Sequence, residues 1–153
     1  MIGLMITALM LQPSGTDIFT EAIERAAAEA RIEQEDTYTE DEELLMKVAM
    51  AEAEGEDVTG KALVMLVVLN RVASDEFPDT VEAVVYQDGQ FSTVSNGRLT
   101  ATDPDKGCEE ALELISEWDG SEGALYFESC EGESWHSRNL ELLFEHGNHN
   151  FYK

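Results

Sequence analysis

The hydrophobic and polar positions of residues 44–54 repeat with the period of an α-helix. Leu45, Val48 and Ala49 fall on one stripe of this helix. Glu52 follows on the same stripe, near the C-terminal end. A carboxylate on a face that packs against the core is disfavoured unless it finds hydrogen-bonding or charged partners. The pattern therefore indicates either a structural glutamate or a protonated carboxyl group of the kind that a general acid requires.

A second apolar run, residues 61–73, is apolar on every side and predicts a central, buried helix. Arg71 lies near its end, where a buried guanidinium needs a partner. Glu52 is one candidate for that partner. An ion pair with Arg71 would lower the pKa of Glu52 and weaken the argument that it is a general acid, and the sequence pattern leaves the pairing open. Thr39 and Glu42 have the spacing of a capping box, which predicts where the helix that carries Glu52 begins.

The N-terminal part of the chain differs from the rest. Residues 1–12 are apolar, residues 17–31 predict an amphipathic helix, and residues 33–43 predict an acidic linker. The apolar stretch is too short to span a bilayer and lacks the basic start of a secretion signal. We therefore separate an N-terminal appendage, residues 1–38, from a main domain, residues 39–153.

The remainder of the main domain predicts short helices and strands. In chain order they are a helix capped by Asp79 with Glu82, a hairpin over 89–99 that turns at Asn96-Gly97, a helix from Asp103-Pro104 to Asp119-Gly120, a strand at 124–127, a polar loop at 130–137 and a short apolar segment at 140–144. The predicted fold class is α+β, dominated by helices, with a small antiparallel sheet.

The charge of the chain limits its partners. Thirty-three acidic residues against nine basic ones give a formal net charge of −24, which repels nucleic acid and anionic membranes. We predict neither as a partner. An anionic polymer as substrate would have to be held by local contacts.

The sequence offers little support for cofactor chemistry. It contains no GxSxG, HExxH or phosphate-binding glycine loop, and its three histidines are too dispersed for a zinc site. We predict no cofactor and assign no metal ligands. Cys108 and Cys130 lack a CxxC spacing, so that one disulfide and two free thiols are both open.

Six short motifs occur in a recognisable order. They are Ala51-Glu52-Ala53-Glu54-Gly55-Glu56, Asn70-Arg71 with Phe77-Pro78, Val84-Val85-Tyr86, Gln90-Phe91-Ser92, Ala124-Leu125-Tyr126-Phe127 and Gly147-Asn148-His149-Asn150-Phe151-Tyr152. In this order they resemble the SleB/CwlJ-type cell wall hydrolases, the catalytic domains of spore cortex-lytic enzymes. The resemblance covers residues 44–153.

The resemblance implies a lysozyme-like or lytic-transglycosylase-like fold that cleaves the glycan strands of peptidoglycan, in the cell envelope, in the spore cortex or after secretion. The essential acid of the family corresponds to Glu52. Since no second carboxylate stands out, a lytic transglycosylase is preferred to a muramidase, which needs two. The expected substrate contacts are the polar side chains of Gln90, Ser92 and His149 and the aromatic walls Tyr86, Phe91 and Tyr152. Trp135 is a further candidate, either as a sugar platform or as an anchor of its loop.

Three alternatives accompany this prediction. The domain could be a catalytically weak peptidoglycan-binding module, an acidic calcium-binding interaction protein, or an amidase that cleaves the peptide side. Residues 128–134 are more acidic than the resemblance leads us to expect, which questions the substrate subsite there and makes their carboxylates a candidate for holding a cation. The oligomeric state is left open.

Overall fold

The computed structural model describes residues 19–27 and 38–153. The chain divides into two compact units, Met1–Tyr38 and Thr39–Lys153. In the first unit, residues 19–27 form an exposed helix, α1, within the amphipathic segment predicted at 17–31. The apolar segment 1–12 lies outside the described residues. In the described ranges, none of the helices has the length and apolar character needed to cross a membrane.

The second unit combines helices with a small sheet. Its elements are α2 (Glu40–Ala53), α3 (Val58–Val72), α4 (Val81–Val85), α5 (Ser92–Ser95), α6 (Arg98–Ala101), α7 (Lys106–Ile115), β1 (Tyr126–Ser129), α8 (Trp135–Asn139), β2 (Leu142–His146) and β3 (His149–Tyr152). The predicted α+β class, dominated by helices, is confirmed.

Helix α2 begins at the predicted capping box. The Thr39 hydroxyl accepts a hydrogen bond from the Glu42 amide at 3.3 Å, and the Thr39 amide donates to Glu42 Oε2 at 2.7 Å. These bonds satisfy backbone groups that the first turn of a helix leaves without partners. Glu54, on the opposite side of the helix from the core, is exposed and pairs with Arg98 at 2.6 Å.

Helix α3 is the central, buried helix that the apolar run predicts, and every residue from Gly60 to Val68 is buried. It contacts α2, α4, α7 and β1. The buried Lys61 keeps its ammonium group at the N-terminal end, 3.3 Å from Asp105 Oδ2 and within 3.5 Å of the carbonyls of Glu54 and Glu56. These oxygen acceptors offset the free-energy cost of burying the ammonium group.

The three strands form one antiparallel sheet in the order β1-β3-β2. Phe151 on the central strand is fully buried and lies opposite Phe127 of β1 and Phe144 of β2. Its ring stacks on that of Phe144, with the ring centres 4.9 Å apart. Phe151 also joins the core cluster formed with α3 residues such as Leu63, so that the sheet closes one side of the core.

The hairpin predicted at 89–99 is wrong. This segment forms two single-turn helices, α5 and α6, joined by Gly97 in the left-handed conformation (φ 77°). Asn96-Gly97 correctly indicates a residue with positive φ, but the same signal is compatible with a hairpin or with a junction of two helical turns. The Asn96 amide donates to the Ser92 carbonyl at 3.1 Å, which completes the first of these turns.

Two predicted helix caps are displaced by a residue or two. Thr80, not Asp79, caps α4 by accepting from the Ala83 amide at 3.2 Å. Asp105, not Asp103, caps α7, which ends at Ile115. Asp105 is favoured because its carboxylate serves both the helix end and the buried Lys61.

Both cysteines are free thiols, which settles the alternative left open by the sequence. Cys108 is buried in α7, and burial raises the pKa of its thiol to about 11. Cys130 is exposed, and its thiol donates to Asn150 Oδ1 at 3.0 Å.

Gly147→Ala is expected to destabilise the domain by about 3 kcal/mol. Gly147 has a φ of 55°, and a Cβ there would overlap Glu56 Oε2. That carboxylate holds the β2–β3 turn through bonds of 2.9 and 3.1 Å from Asn148. Gly97→Ala carries a similar backbone cost, but an added Cβ there would meet none of the described residues. We therefore expect it to destabilise the domain by about 1 kcal/mol. Urea unfolding of both variants measures the difference; equal losses would contradict it.

Asp105→Asn is expected to lower stability at pH 7 and to have less effect in acid. Partial burial raises the pKa of Asp105, but hydrogen bonds from Cys108 and Lys61 outweigh it and leave the pKa below its usual value. The stabilisation is therefore complete above the unfolded-state pKa of about 3.9 and is lost as the pH falls through the lower folded-state pKa.

Urea unfolding between pH 7 and pH 3 tests this expectation for Asp105, with the exposed Asp103→Asn as the matched control. A difference between wild type and Asp105→Asn that stays constant over this range would contradict it.

Candidate active site

A cleft of about 650 Å³ lies between the helices and the first and third strands of the sheet. Its lining residues are Glu52, Arg71, Gly89, Gln90, Phe91, Ser92, Tyr126, Phe127, Glu128, Ser129, Trp135, His136 and His149. Six of the eight residues predicted as site residues from the sequence are in this set. They come from distant parts of the chain.

Glu52 enters the cleft from the last turn of α2 and is anchored from the other side by α5. The hydroxyl of Thr93, which is buried, donates to Glu52 Oε1 at 2.5 Å. Oε2 has no hydrogen bond to the described residues and is thus the oxygen available to carry a proton. The side chain is partly buried, as the helical stripe predicts.

His149 lines the cleft and feels the charges of two carboxylates, Glu56 and Glu52. It is 9% exposed, and its Nδ1 is 3.8 Å from Glu56 Oε1, too far for a hydrogen bond. Desolvation lowers the pKa of His149, although the negative charges of Glu56 and Glu52 oppose the shift. The ring is therefore neutral near pH 7.

Arg71 forms part of the cleft wall without pairing with Glu52. Its Nε donates to the Leu125 carbonyl at 2.7 Å, and its guanidinium lies over the rings of Phe77, Phe91 and Tyr126 at 5.0 to 5.4 Å. Burial lowers the pKa of Arg71 to about 10, so that it remains charged at neutral pH. The aromatic faces and a carbonyl serve as its partners, which leaves Glu52 free for chemistry.

Glu128 is a second carboxylate in the cleft, and the sequence prediction missed it. Its Oε1 accepts hydrogen bonds from the hydroxyls of Ser134 at 2.6 Å and Tyr152 at 2.8 Å. Its Oε2 is 3.0 Å from His136 Nδ1. Partial burial raises the pKa of Glu128, but these three bonds outweigh it and lower the pKa below its usual value. Glu128 is therefore ionised at neutral pH.

The predicted polar loop at 130–137 contains α8, and this helix explains why Glu128 and His136 meet. Ser134 caps α8 through a capping box with Ser137. The helix places His136 against β1, its ring centre 5.7 Å from that of Tyr126. The S-x-x-S spacing of the cap was the only signal in the sequence.

Two predicted aromatic walls lie elsewhere. Tyr152 is 2% exposed, and its hydroxyl holds Glu128, so its ring cannot form the wall of an open cleft. Tyr86 is 47% exposed and lines a separate cleft of about 350 Å³ beside α2 and α6. Phe91 does lie in the main cleft, but it is 5% exposed and packs under Arg71.

The remaining candidates occupy the rim of the cleft. Ser92 is exposed, Gln90 is half-buried, and Trp135 is 59% exposed at the start of α8. In residues 19–27 and 38–153 no group of three or more His, Cys, Asp or Glu side chains is arranged to hold a metal ion. The Glu128 carboxylate, the candidate cation ligand of the acidic segment, is occupied by protein donors.

Comparison with known proteins identifies relatives of both the sequence and the fold. Spore cortex-lytic enzymes from Oceanobacillus iheyensis and Bacillus subtilis are 38% and 34% identical over 87 and 84 residues, which are 57% and 55% of this chain. These matches cover 32% and 28% of those proteins, so the chain spans about a third of the length of the curated relatives it matches.

Two solved structures share the fold. The catalytic domain of the germination-specific lytic transglycosylase SleB from Bacillus anthracis superposes with a TM-score of 0.67 and 29% identity, over 77% of this chain and 98% of that one. The catalytic domain of the Bacillus cereus SleB protein gives a TM-score of 0.64 and 30% identity, over 77% and 94%.

A family model described as cell wall hydrolase matches residues 55–152, beginning three residues after Glu52. The resemblance inferred from the six motifs is thereby confirmed. This chain belongs to the cell wall hydrolase family.

Proposed function

We propose that residues 39–153 form the catalytic domain of a peptidoglycan-cleaving enzyme, a lytic transglycosylase that acts on glycan strands in the cell envelope or spore cortex. The observation that carries this proposal is the position of Glu52 in an open cleft. One carboxylate oxygen is held by Thr93 and the other is available for proton transfer. The name of the Bacillus anthracis relative supports the same reaction class.

Glu52 serves first as acid and then as base. Its protonated carboxyl group donates the proton to the glycosidic oxygen as the bond from that oxygen to C1 breaks, and the leaving sugar departs as an alcohol. The C6 hydroxyl of the remaining muramic acid then attacks C1, and the Glu52 carboxylate accepts the hydroxyl proton. A 1,6-anhydro ring forms, Glu52 regains its proton, and no water is consumed.

The environment of Glu128 favours this mechanism over hydrolysis. Glycosidases that use water usually employ a second carboxylate as nucleophile or base. Glu128 lines the cleft, but both of its oxygens accept hydrogen bonds from protein donors. Three of the roughly four acceptor sites of the carboxylate are taken in this way, which lowers its nucleophilicity.

The acidity of the chain is compatible with a polymeric substrate because the cleft is not uniformly acidic. Its wall contains the guanidinium of Arg71 and the aromatic rings of Tyr126 and Phe127. The two aromatic rings are partly exposed and offer local contacts of the kind that a glycan strand needs, while the buried guanidinium adds positive charge behind them.

Glu52→Gln is expected to reduce the release of soluble muropeptides by about 10²–10⁴-fold, because the amide cannot donate the proton. Glu54→Gln, two residues away on the exposed face, is the matched control and should keep wild-type activity. Mass spectrometry of digests of spore cortex and vegetative peptidoglycan measures both. No release from either substrate by the wild type would favour a binding module instead.

Thr93→Val is expected to lower kcat by about tenfold with little change in KM, since it removes the hydroxyl that orients Glu52. Thr100→Val is the control, because the Thr100 hydroxyl bonds only the nearby Gly97 carbonyl among the described residues. Steady-state turnover of solubilised cortex fragments gives both constants. Equal kcat values for the two variants would mean that Thr93 does not position the acid.

A further inference from the structure

The N-terminal end of α8 presents two rings to the cleft that hosts Glu52. Trp135 is 59% exposed, the largest exposed aromatic surface of the cleft lining. Its indole meets the His136 ring at 84°, with the ring centres 5.6 Å apart. Because the two rings meet nearly at a right angle, the imidazole does not stack over the indole and cover it. A flat apolar surface is therefore open at the rim of the cleft.

The polar atoms of His136 have defined roles. Its Nδ1 is 3.0 Å from Glu128 Oε2, and Glu128 is ionised because hydrogen bonds lower its pKa. An ionised carboxylate can only accept, so Nδ1 carries the hydrogen when the ring is in its neutral form. Nε2 is then an acceptor, and it is neither bonded to a described residue nor among the buried unpaired atoms. The His136 side chain is 33% exposed and lines the cleft, so a substrate donor can approach Nε2.

The ring of His136 is held in a fixed orientation by its neighbours. It stacks on Tyr152 at 6.1 Å and 29°, and it lies 5.7 Å from Tyr126. Ser134 and the Tyr152 hydroxyl fix the carboxylate that orients it. An acceptor held by packing and by hydrogen-bonded neighbours is a pre-organised recognition group.

We propose that Trp135 and His136 form a subsite for an N-acetylated hexosamine ring, in which the indole stacks on the apolar face of the sugar and Nε2 accepts a hydrogen bond from the acetamido N–H. This subsite rests on the proposed function, whose substrate contains such rings. A sugar of this class offers both an apolar face and a neutral donor. The subsite selects that donor because its polar groups, Nε2 and the Glu128 carboxylate, are acceptors.

Charge adds to this selectivity. The titratable groups packed around His136 are Glu128 and Tyr126 from β1, Tyr152 from β3 and Arg138 on α8 itself. The guanidinium of Arg138 turns back to the Ser134 carbonyl at 3.0 Å. An ionised Glu128 next to the imidazole disfavours a carboxylate at the subsite and favours an uncharged ring.

The fluorescence of Trp135 reports occupancy directly. The chain has two tryptophans, and Trp118 packs against the core cluster away from the cleft. In the full-length variant Glu52→Gln/Trp118→Phe, Trp135 is the single emitter and the glycan is not turned over. Titration with chitotetraose, an uncharged β-1,4-linked oligomer of N-acetylglucosamine, is expected to give a saturable blue shift. Glu52→Gln/Trp135→Phe retains only Trp118 and should show none.

The acetamido contact is tested by comparing chitotetraose with cellotetraose, which has a hydroxyl in place of each acetamido group. The protein with His136 should prefer chitotetraose by about tenfold. His136→Phe keeps the ring packing but removes the acceptor, and should bind both oligomers equally. His146→Phe is the matched control, because His146 also pairs with a carboxylate, Asp57 at 2.8 Å, outside the cleft lining. It should retain the preference.

Three results would overturn the subsite: no shift in Trp135 emission at millimolar chitotetraose, a shift without preference over cellotetraose, or a preference that survives His136→Phe. Muropeptide release by the protein with Glu52 and Trp118 intact is measured in parallel. If the subsite fails while release persists, the subsite alone is wrong. If release also fails, the proposed function fails with it.

Discussion

The structure depends on the enclosure of α3, in which every residue from Gly60 to Val68 is buried. Because apolar neighbours surround this stretch, polar groups are placed at its ends, and those at the C-terminal end serve the cleft. At the C-terminal end, Asn70 donates to the carbonyl of residue 124 at 3.0 Å, and Arg71 to that of residue 125 at 2.7 Å. These bonds hold the segment that leads into β1. The cleft wall is thus positioned by the same helix that fills the core.

The two sides of the cleft have different electrostatic character. On one side, Glu52 lies near His149, which desolvation keeps neutral, and the Thr93 hydroxyl holds one of the Glu52 oxygens. On the other side, Glu128 is held ionised by three donors and in turn orients His136. Two carboxyl groups in different surroundings are typical of sites that handle protons. We propose from this asymmetry that proton transfer belongs to Glu52 and recognition to the side of Glu128.

A feature could be predicted from the sequence when it depends on residues close together in the chain, and not when it depends on distant ones. Glu52 could be found from the sequence because the period of one helix determines its face. The roles of Tyr152 and Glu128 could not be found from the sequence, because they depend on how β1, β3 and α8 pack together. The hairpin predicted at 89–99 failed because a helical turn of four residues is too short to show a period. Local signals pointed to Glu52 as the candidate acid, and tertiary packing determined its surroundings.

The most direct test of the central claim, that Glu52 acts as acid and base without water, is digestion of purified cortex in H₂¹⁸O followed by mass spectrometry of the first products. In the proposed mechanism the C6 hydroxyl of muramic acid, not water, attacks C1. The new sugar ends should therefore be anhydro rings that carry no ¹⁸O. Incorporation of one ¹⁸O into each new reducing end would show hydrolysis. That result would contradict the account and would require a water-activating group in the cleft.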